Sequence, residues 1–490
     1  METQVKQNNT TLTKTMSLLN SAPVLLLLGV LLNSFNQMRW NIPLLAWISF
    51  IPFLRYTRLE YNKTVLALAL FATFTLSTAR IISEPMHIIL AVVSGLQMML
   101  GYLIVLTLTN KIRKGSKSKT VSIFAFATFI VTYEWMGALF SPLGTWGMLA
   151  NSQVENLVLL QLASVTGAFG ISFLIALSNS VLESSLNEIM NKTGFGSFKP
   201  AFVLVLGLII AYTFGGVRLF TTLEGPGIRV ASISTKYEIA ELLQSEKLLG
   251  ENDKALFQMT KEAAEAKAQV VVWNEGATMV KPEKEGDLLQ DLQKTAKQNS
   301  IDIVAGYVTL LDPTDFKFEN KALYVKSNGD IAFTYYKQFI PPGEPAVYIP
   351  SEHQITQTGG ANIGVAICYD FDSLALTKNL AKTGADIIAI VASDWKGIDP
   401  FHNQMAAMRG IEQGYSIVRS TRGAASIAFD PYGRVRAWNG YYEKNDGIMY
   451  ATVPGKKVNT VYATISDTFA ALCATISIYI IFIRWFLRKK

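Results

Sequence analysis

Long apolar runs fill the first 220 residues and restrict, more than any other feature, what this chain can fold into. Seven such runs follow one another there and an eighth lies near the carboxyl end. Most are close to the ~20 residues that a helix needs to cross a hydrocarbon core of ~30 Å. A buried helix of a soluble core is the alternative for any single run, but seven in a row with so few charges argue against it. We predict seven N-terminal spans plus one C-terminal span, at residues 17–36, 40–55, 63–82, 86–109, 120–140, 157–182, 200–220 and 461–483.

The composition agrees with a membrane location. Only 17% of the 490 residues are charged, whereas soluble domains carry about 25%. Two cysteines are too few for a disulfide framework or a cysteine-rich zinc site. The formal net charge of +7 could serve a nucleic-acid binder if it formed a basic stripe. Much of the excess lies instead in short loops between apolar runs, so we expect no nucleic-acid partner.

The basic residues also predict the topology, because lysine and arginine concentrate in cytoplasmic loops. They cluster after the second run, after the fourth run and in the C-terminal tail, whereas residues 141–156 contain none. With eight spans and both termini inside, all three clusters share one side and the long segment between spans seven and eight lies outside the cytoplasm. We therefore expect a transmembrane domain at 1–220, an extracytoplasmic domain at 221–459, and a final span with a basic cytoplasmic tail at 460–490. The clustered residues are Arg55, Arg58, Lys63, Lys111, Arg113, Lys114, Lys117, Lys119, Arg484, Arg488, Lys489 and Lys490.

The segment between the last two spans has the pattern of a layered α/β domain. Short β-rich apolar runs alternate there with charged helical stretches. It contains no phosphate-binding glycine loop, no zinc-protease motif and no GxSxG elbow. Predicted strands lie at 228–233, 270–273, 301–308, 322–325, 363–367, 387–392, 417–420 and 425–429, and predicted helices at 237–268, 283–299, 372–384 and 400–414.

Three places in this segment suggest chemistry. Glu275 ends an apolar strand, where a carboxylate can act as a general base. Lys337 lies beside aromatic residues and before a Pro-Pro-Gly turn and Glu344, where it could stabilise a developing negative charge. Cys368 ends another strand, a position at which a thiolate can be activated. Taken alone, Glu275 could be a solvated acid, Lys337 a solvated lysine, and Cys368 a small buried side chain. The other cysteine, Cys473, lies within a predicted span and is interpreted as structural.

Together, the three residues resemble a known pattern. The order Glu275, Lys337, Cys368 is similar to the Glu-Lys-Cys triad of the nitrilase, or carbon-nitrogen hydrolase, superfamily. The residues at 393–395, 402–412 and 419–434 resemble the blocks that follow the nucleophile in that superfamily. The resemblance covers about 225–455 and implies an αββα sandwich inserted before the last span.

The membrane half narrows the resemblance to the apolipoprotein N-acyltransferase family. Residues 161–174 with Asn179 resemble the signature of its sixth span, and residues 337–344 resemble its lysine motif. Three positions depart from the family pattern. Asn274 stands in place of proline before the base, Asp370 in place of glutamate after the nucleophile, and Arg422 in a segment where the family has asparagines.

The resemblance implies a two-step acyl transfer through a thioester on Cys368. The donor would be a membrane phospholipid and the acceptor the N-terminal amine of a diacylglyceryl-modified cysteine of a lipoprotein. Glu275 would be the base and Lys337 the oxyanion stabiliser, while Glu344 would position Lys337 or the amine. No cofactor and no metal are expected, and a monomer in the bacterial inner membrane with a periplasmic catalytic domain is implied. Residues expected to shape the pocket are Tyr369, Asp370 and Trp395.

Two other functions stay open at this point. A membrane-tethered amidase would transfer the acyl group to water, and the Cys-Tyr-Asp sequence at 368–370 favours it slightly. The non-enzymatic alternative is a transporter or lipid-binding module with an inactive domain. The complete triad argues against this alternative. Glu134, an acid within a span, could be functional or could hydrogen-bond inside the bundle.

Overall fold

The computed structural model describes residues 20–59, 61–82, 88–193, 196–444 and 447–487. Within these ranges the side chains of 443, 444 and 484–487 are not described. The first residues of the first and fourth predicted spans, 17–19 and 86–87, lie outside the described residues, as does the basic tail at 488–490.

The first part of the described chain is a helical bundle. Its helices are α1 (Ala22–Ser34), α2 (Ile51–Leu59), α3 (Lys63–Ala79), α4 (Ile88–Gly115), α5 (Lys119–Phe140), α6 (Leu157–Leu160), α7 (Ala163–Thr166), α8 (Ala168–Asn191) and α9 (Phe198–Phe220), with 3₁₀ turns at Pro43–Trp47 and Leu149–Gln153. Four of them, α4, α5, α8 and α9, are long and apolar enough to cross a bilayer. Shorter apolar helices accompany these four in the bundle.

Two predicted spans differ from the helices found. The second is wrong as a single helix, because residues 40–55 contain a 3₁₀ turn and then the start of α2. The nine residues of α2 extend for only about 14 Å, less than half of a bilayer core. The sixth is wrong in its start, because Gly167 at φ +65° ends the short helix α7 before α8 begins. The count of seven spans plus one is therefore not confirmed.

Two β-sheets form the centre of the second part. Their strands are β1 (Gly227–Ser234), β2 (Val270–Trp273), β3 (Thr278–Val280), β4 (Asp302–Asp312), β5 (Lys317–Val325), β6 (Ile331–Tyr336), β7 (Ile355–Thr358), β8 (Ala361–Ile367), β9 (Ile387–Ser393), β10 (Ser416–Arg422), β11 (Ser426–Phe429), β12 (Val435–Asn439) and β13 (Gly447–Pro454). The seven-stranded sheet has the order β13-β1-β2-β4-β5-β6, with β3 also paired to β4, and the six-stranded sheet has the order β12-β11-β10-β9-β8-β7.

Helices connect these strands and follow them. They are α10 (Ile239–Gln244), α11 (Glu246–Glu265), α12 (Glu285–Asn299), α13 (Leu374–Lys382), α14 (Phe401–Gln413), α15 (Tyr441–Lys444), α16 (Val461–Ile465) and α17 (Thr468–Leu487). The last of them, α17, is apolar and packs against the membrane bundle through Ala470 and Cys473.

The sheets pack face to face with helices outside them, which confirms the predicted layered α/β class. Side chains of both sheets, such as Val272 and Val365, share one buried apolar cluster. Leu256 of α11 and Leu292 of α12 cover the outer face of the first sheet. Each predicted strand and helix of this part corresponds to a described element, although Ser245 divides the first predicted helix into α10 and α11.

The outer helices of the second sheet rest on the membrane bundle. Leu374 of α13 and Phe401 and Met408 of α14 belong to the same apolar cluster as the bundle helices. A loop at 141–148 of the bundle reaches the sandwich, where the Thr145 amide donates to the Asp372 carbonyl at 3.0 Å. Gly144 lies at φ +56°, and a Cβ there would stand 2.3 Å from that same carbonyl oxygen. The close approach therefore requires glycine and fixes the catalytic loops against the bundle.

Glu134 has a structural contact that accounts for its position in α5. Its side chain is buried, and its Oε1 accepts a 2.7 Å hydrogen bond from the Leu149 amide. Hydrogen bonding within the bundle is therefore the better-supported of its two interpretations.

Candidate active site

The three residues that the sequence singles out meet in one cavity. Glu275 follows β2, Lys337 follows β6 and Cys368 follows β8, so two strands of the first sheet and one of the second contribute. All three side chains line a cavity of about 250 Å³. The parallel strands β8 and β9 end at its edge, where Cys368 and residues 393–395 come together.

Two carboxylates hold the lysine. The Lys337 ammonium donates to Glu275 Oε1 at 2.8 Å and to Glu344 Oε2 at 2.5 Å. Asn320 Nδ2 donates to the same two carboxylates, at 2.8 Å to Glu275 and 3.2 Å to Glu344. Burial by itself lowers the pKa of Lys337, but the two carboxylates outweigh it and hold that pKa well above its usual value. Lys337 is therefore a fixed positive charge inside a buried site.

The cysteine sits on a strained turn and is a neutral thiol at rest. Cys368 has φ +42°, a region that non-glycine residues seldom occupy outside functional sites. Burial, then the carboxylates of Glu275 and Asp394, raise its pKa well above the usual value, and Arg419 and Lys337 only partly oppose them. Cys368 lies directly after β8, as the sequence predicts, and its activation stays a prediction. A five-residue 3₁₀ turn begins at the cysteine directly after the strand, and the thiol requires a base.

A buried ionic network lies beside the sulfur. Cys368 Sγ is 3.6 Å from Asp394 Oδ1 and 3.8 Å from Arg419 Nη2. Arg419 donates to both oxygens of Asp394, at 2.6 and 3.1 Å. His402 bridges Asp394 and Asp372 through its two ring nitrogens, at 3.0 and 2.9 Å. These bonds fix the carboxylate that faces the sulfur.

The same groups have the spacing of a metal site but not its charge. The donor atoms of Cys368, Asp394 and His402 lie within 4.8 Å of one another. A histidine must be deprotonated to bind a metal. Burial by itself lowers the pKa of His402, but the carboxylates of Asp394 and Asp372 outweigh burial and raise that pKa to about 9, which favours the protonated ring. The Arg419 guanidinium already occupies both oxygens of Asp394. The arrangement fits an ion-pair network and not a metal centre.

His402 gives this network a pH dependence. Because its folded pKa of about 9 exceeds the ordinary 6.5, its contribution to stability is complete below pH about 6.5 and is lost as pH rises through 9. A shift of this size corresponds to about 3 kcal/mol. His402→Gln is expected to lower the melting temperature in detergent at pH about 6, and the difference from the unchanged protein should shrink by pH about 10. A difference that stays constant over this range would contradict the ion-pair assignment.

The four other predicted pocket residues divide into two groups. Glu344, Tyr369 and Trp395 line the cavity, and the Tyr369 ring stacks on Phe339 at 5.0 Å. The Trp395 indole donates to the Ile81 carbonyl of the bundle at 2.5 Å.

Asp370 does not itself line the cavity, so its effect on the pocket, which stays a prediction, would be indirect. Its carboxylate accepts hydrogen bonds from the amides of Gln338, Phe339 and Ile367 at 3.0, 2.7 and 3.1 Å. Burial raises the pKa of Asp370 to about 6. Asp370 ties the lysine loop to the strand that carries the nucleophile and so acts on the site through the backbone.

The other two departures from the family pattern also make structural contacts. Asn274 accepts from the Thr235 amide at 3.0 Å and donates to the Glu275 carbonyl at 2.9 Å, which orients the base. Arg422 pairs with Glu238 at 3.0 Å. Glu275, Lys337 and Cys368 therefore still meet in one cavity although residues 274 and 422 differ from the family pattern.

Four residues of the site were not identified from the sequence, namely Asn320, Asp394, His402 and Arg419. Asn320 and its neighbour Lys321 are buried polar residues in the first, polar half of β5. The sequence does not distinguish them from the half-exposed Glu319 beside them, so no sequence signal identifies Asn320. Asp394, His402 and Arg419 lie within the blocks that resemble the nitrilase superfamily, but only the fold brings them together.

The far end of the cavity is made by the membrane bundle. Its walls there are mostly apolar and come from α3, α4 and the loops that follow α1 and α5. The bundle residues are Met38, Thr78, Ile81, Leu90, Ser94, Met98, Leu143 and Trp146. One continuous cavity therefore joins the buried triad to apolar side chains of the helical bundle.

Known proteins match both parts of the chain. Residues 241–462 match the carbon-nitrogen hydrolase family, and residues 28–181 match the N-terminal domain of apolipoprotein N-acyltransferase. The chain is 23% identical to the apolipoprotein N-acyltransferase of Geobacter metallireducens, over 74% of each chain. It is 24% identical to that of Borreliella burgdorferi, over 87% of this chain and 88% of that one. It is 26% identical to that of Pseudomonas syringae, over 67% of this chain and 68% of that one.

The matches agree with the architecture. The sandwich with its Glu-Lys-Cys cavity lies in the region that matches the hydrolases, and four helices of spanning length precede it in a multi-pass membrane protein. The N-terminal match covers the helices that wall the apolar end of the cavity. In both of its parts, the chain is similar to the apolipoprotein N-acyltransferases.

Proposed function

We propose that the protein transfers a fatty acyl chain from a membrane phospholipid to the N-terminal amine of the diacylglyceryl-modified cysteine of apolipoproteins. The observation that carries this proposal is the cavity, which has a buried nucleophile at one end and apolar walls from membrane helices at the other. An acyl chain can therefore reach Cys368 while its surroundings remain apolar. The relatives are named for the same reaction.

The first step acylates the enzyme. Glu275 takes the proton of the Cys368 thiol, which is needed because the thiol is neutral at rest. The sulfur attacks the ester carbonyl of the phospholipid, and the Lys337 ammonium stabilises the oxyanion that forms. As the carbon–oxygen bond breaks, Glu275 returns the proton to the leaving alcohol. The products are an acyl thioester and a lysophospholipid.

The second step transfers the chain to the acceptor. The α-amine of the lipoprotein attacks the thioester carbonyl, and Glu275 accepts the proton that the amine loses. The carbon–sulfur bond breaks, an amide forms, and the Cys368 thiol is restored. Glu344 contacts Lys337 and Asn320 and lines the cavity, so we assign it the positioning of Lys337 and of the incoming amine.

The membrane bundle lowers the cost of bringing both substrates to the site. Exposing an acyl chain to water costs about 0.8 kcal/mol per methylene, or on the order of 12 kcal/mol for a chain of about sixteen carbons. A catalytic cavity walled by α3 and α4 avoids that exposure. The amidase alternative, with water as acceptor, gives no reason for the apolar end of the cavity.

A product assay tests the proposed reaction. Purified protein with phospholipid and a diacylglyceryl-cysteine peptide is expected to give N-acylated peptide and lysophospholipid in equal amounts, measured by mass spectrometry. Free fatty acid in place of N-acylated peptide would contradict the proposal and favour the amidase. No turnover of any phospholipid would contradict the proposed acyl transfer.

We further propose that the active site faces the periplasm of a bacterial inner membrane. The carboxyl ends of α3 and α5 contact the sandwich through Ile81 and residues 142–145. The loop at 116–118, between α4 and α5, is therefore at the other end of the bundle. Lys117 and the basic residues at the adjoining helix ends, Arg113, Lys114 and Lys119, favour the cytoplasm. Eight membrane spans remain a proposal. We also propose that the protein is a monomer, because one chain supplies every residue of the described cavity.

Thiol labelling tests this orientation. Lys114→Cys and Glu352→Cys replace exposed residues at the two ends, and both native cysteines are buried. In cells with a permeabilised outer membrane, an impermeant thiol reagent is expected to label only Glu352→Cys. Labelling of Lys114→Cys alone would invert the topology and place the catalytic cavity in the wrong compartment.

A further inference from the structure

A second cavity lies at the end of the bundle remote from the sandwich. Its volume is about 280 Å³, and it is enclosed by α2, α4, α5, α8 and the loop between α4 and α5. The carboxyl end of α5 faces the catalytic loops, whereas this cavity lies at its amino end. The 22 residues of α5 separate the two sites by about 33 Å.

Cationic side chains outnumber acids in its walls. Four cations and two carboxylates line it, which leaves an excess of two positive charges. The charged lining residues are Arg58, Arg113, Lys117, Lys119, Glu183 and Glu188.

The acids do not neutralise these cations. Arg58 donates to both oxygens of Glu183 at 2.6 Å, while Arg55 and Arg113 face the same carboxylate at 3.8 and 3.9 Å. One carboxylate therefore meets three guanidinium groups. Two of these, Arg55 and Arg113, have side chains only 4% and 11% exposed. Both also donate hydrogen bonds to neutral acceptors, Arg55 to Asn187 and Arg113 to Asn110. Their positive charge is therefore still matched by a single carboxylate, which another anion would help to balance.

Two further groups at the cavity lack partners in the described part of the chain. Lys117 makes no ion pair with a described residue, and the buried hydroxyl of Thr109 makes no hydrogen bond there. The positive-inside rule accounts for lysines in this loop. It does not account for guanidinium groups buried around a cavity or for an unpaired buried hydroxyl.

We propose that this cavity binds a phosphate group, presented by an anionic phospholipid of the leaflet remote from the sandwich or free in solution. A phosphate offers several acceptor oxygens and a charge that matches the excess. Lysine and arginine bind such groups by charge-assisted hydrogen bonds. Basic cavities between helices at the polar end of a membrane bundle are typical binding sites for anionic headgroups. The site is independent of the acyl-transfer reaction.

The test compares two single substitutions in the full-length protein. Lys117 and Lys111 are both exposed. Lys117→Gln removes a cation that lines the cavity and has no ion pair with a described residue to lose, and Lys111→Gln removes a cation of the same helix-loop region that does not line the cavity. Phosphatidylglycerol, phosphatidylcholine and inorganic phosphate are added separately to protein in neutral detergent. Affinity is measured by native mass spectrometry, and melting temperature is recorded with and without each addition.

The expected result is selective. Phosphatidylglycerol should bind and raise the melting temperature. Lys117→Gln should weaken phosphatidylglycerol binding about tenfold, as loss of one charge-assisted bond implies. Lys111→Gln should leave that affinity within about twofold of the unchanged protein. Competition by inorganic phosphate would assign the site to phosphate of either source, and absence of competition would assign it to the lipid. Equal weakening by both substitutions, or equal binding of phosphatidylcholine, would overturn the proposal.

Discussion

Replacement of Cys368 by alanine is expected to abolish acyl transfer, because no other described side chain in the cavity can carry the acyl group as a thioester. Loss of a covalent nucleophile lowers turnover by as much as about 10⁶-fold in other enzymes. Cys368→Ser should be equally inactive, since Glu275 would have to deprotonate a much weaker acid. Formation of N-acylated peptide is the measurement.

Cys473→Ala is the matched control. This cysteine is also buried, but it lies in α17 within the apolar cluster of the bundle and not at the cavity. Its replacement is expected to leave transfer nearly unchanged. Equal losses from both substitutions would mean that the cysteines act through folding, and the assignment of Cys368 as nucleophile would fail.

Lys337→Ala and Glu275→Gln are the substitutions with the next largest expected effects. Without Lys337, the oxyanion loses the cation that we assign to it, and removal of one such donor costs about 10²–10³ in rate. Without the Glu275 carboxylate, the Cys368 thiol has no base to take its proton, while burial and Asp394 still raise its pKa, so loading with acyl group should stop. Single-turnover release of lysophospholipid measures both effects.

Lys321→Ala provides a close control for the lysine. Lys321 is also buried and also pairs with two carboxylates, Glu285 and Glu319, both at 2.6 Å. It lies on β5 but outside the cavity. Its loss should lower stability while the rate of loading in the folded fraction stays within about twofold. Equal slowing by both lysine substitutions would remove the reason to assign Lys337 to the oxyanion.

Local patterns are sufficient to predict much of this molecule. The eight buried strands are visible as apolar runs because both faces of most of them are covered, as in β2 and β9. Strands that apolar runs do not reveal, such as β7 and β12, are half exposed and have a mixed sequence. Glu275 and Cys368 are detectable because each follows an apolar strand, and Lys337 because it lies between aromatic residues and a Pro-Pro-Gly turn. Spacing alone does not predict the cavity in which all three lie.

The features that the sequence does not reveal depend on contacts between distant segments. Asp394 and Arg419 lie 25 residues apart in the chain and share two hydrogen bonds in the core. Asp370 has the residue type and location of a pocket carboxylate, but its oxygens are used by three backbone amides. The second predicted span is wrong for a local reason, since its apolar run contains prolines and forms two short helical segments instead of one helix.

Mass spectrometry of the Cys368 peptide tests the central claim most directly. Protein mixed with phospholipid alone is expected to gain one acyl mass on that peptide, and neutral hydroxylamine should remove it, because it cleaves thioesters and leaves amides intact. The adduct should persist for minutes in buffer and disappear when a diacylglyceryl-cysteine peptide is added, with N-acylated peptide formed in equal amount. Transfer that proceeds without any adduct, or an adduct on another residue, would contradict a two-step mechanism through Cys368.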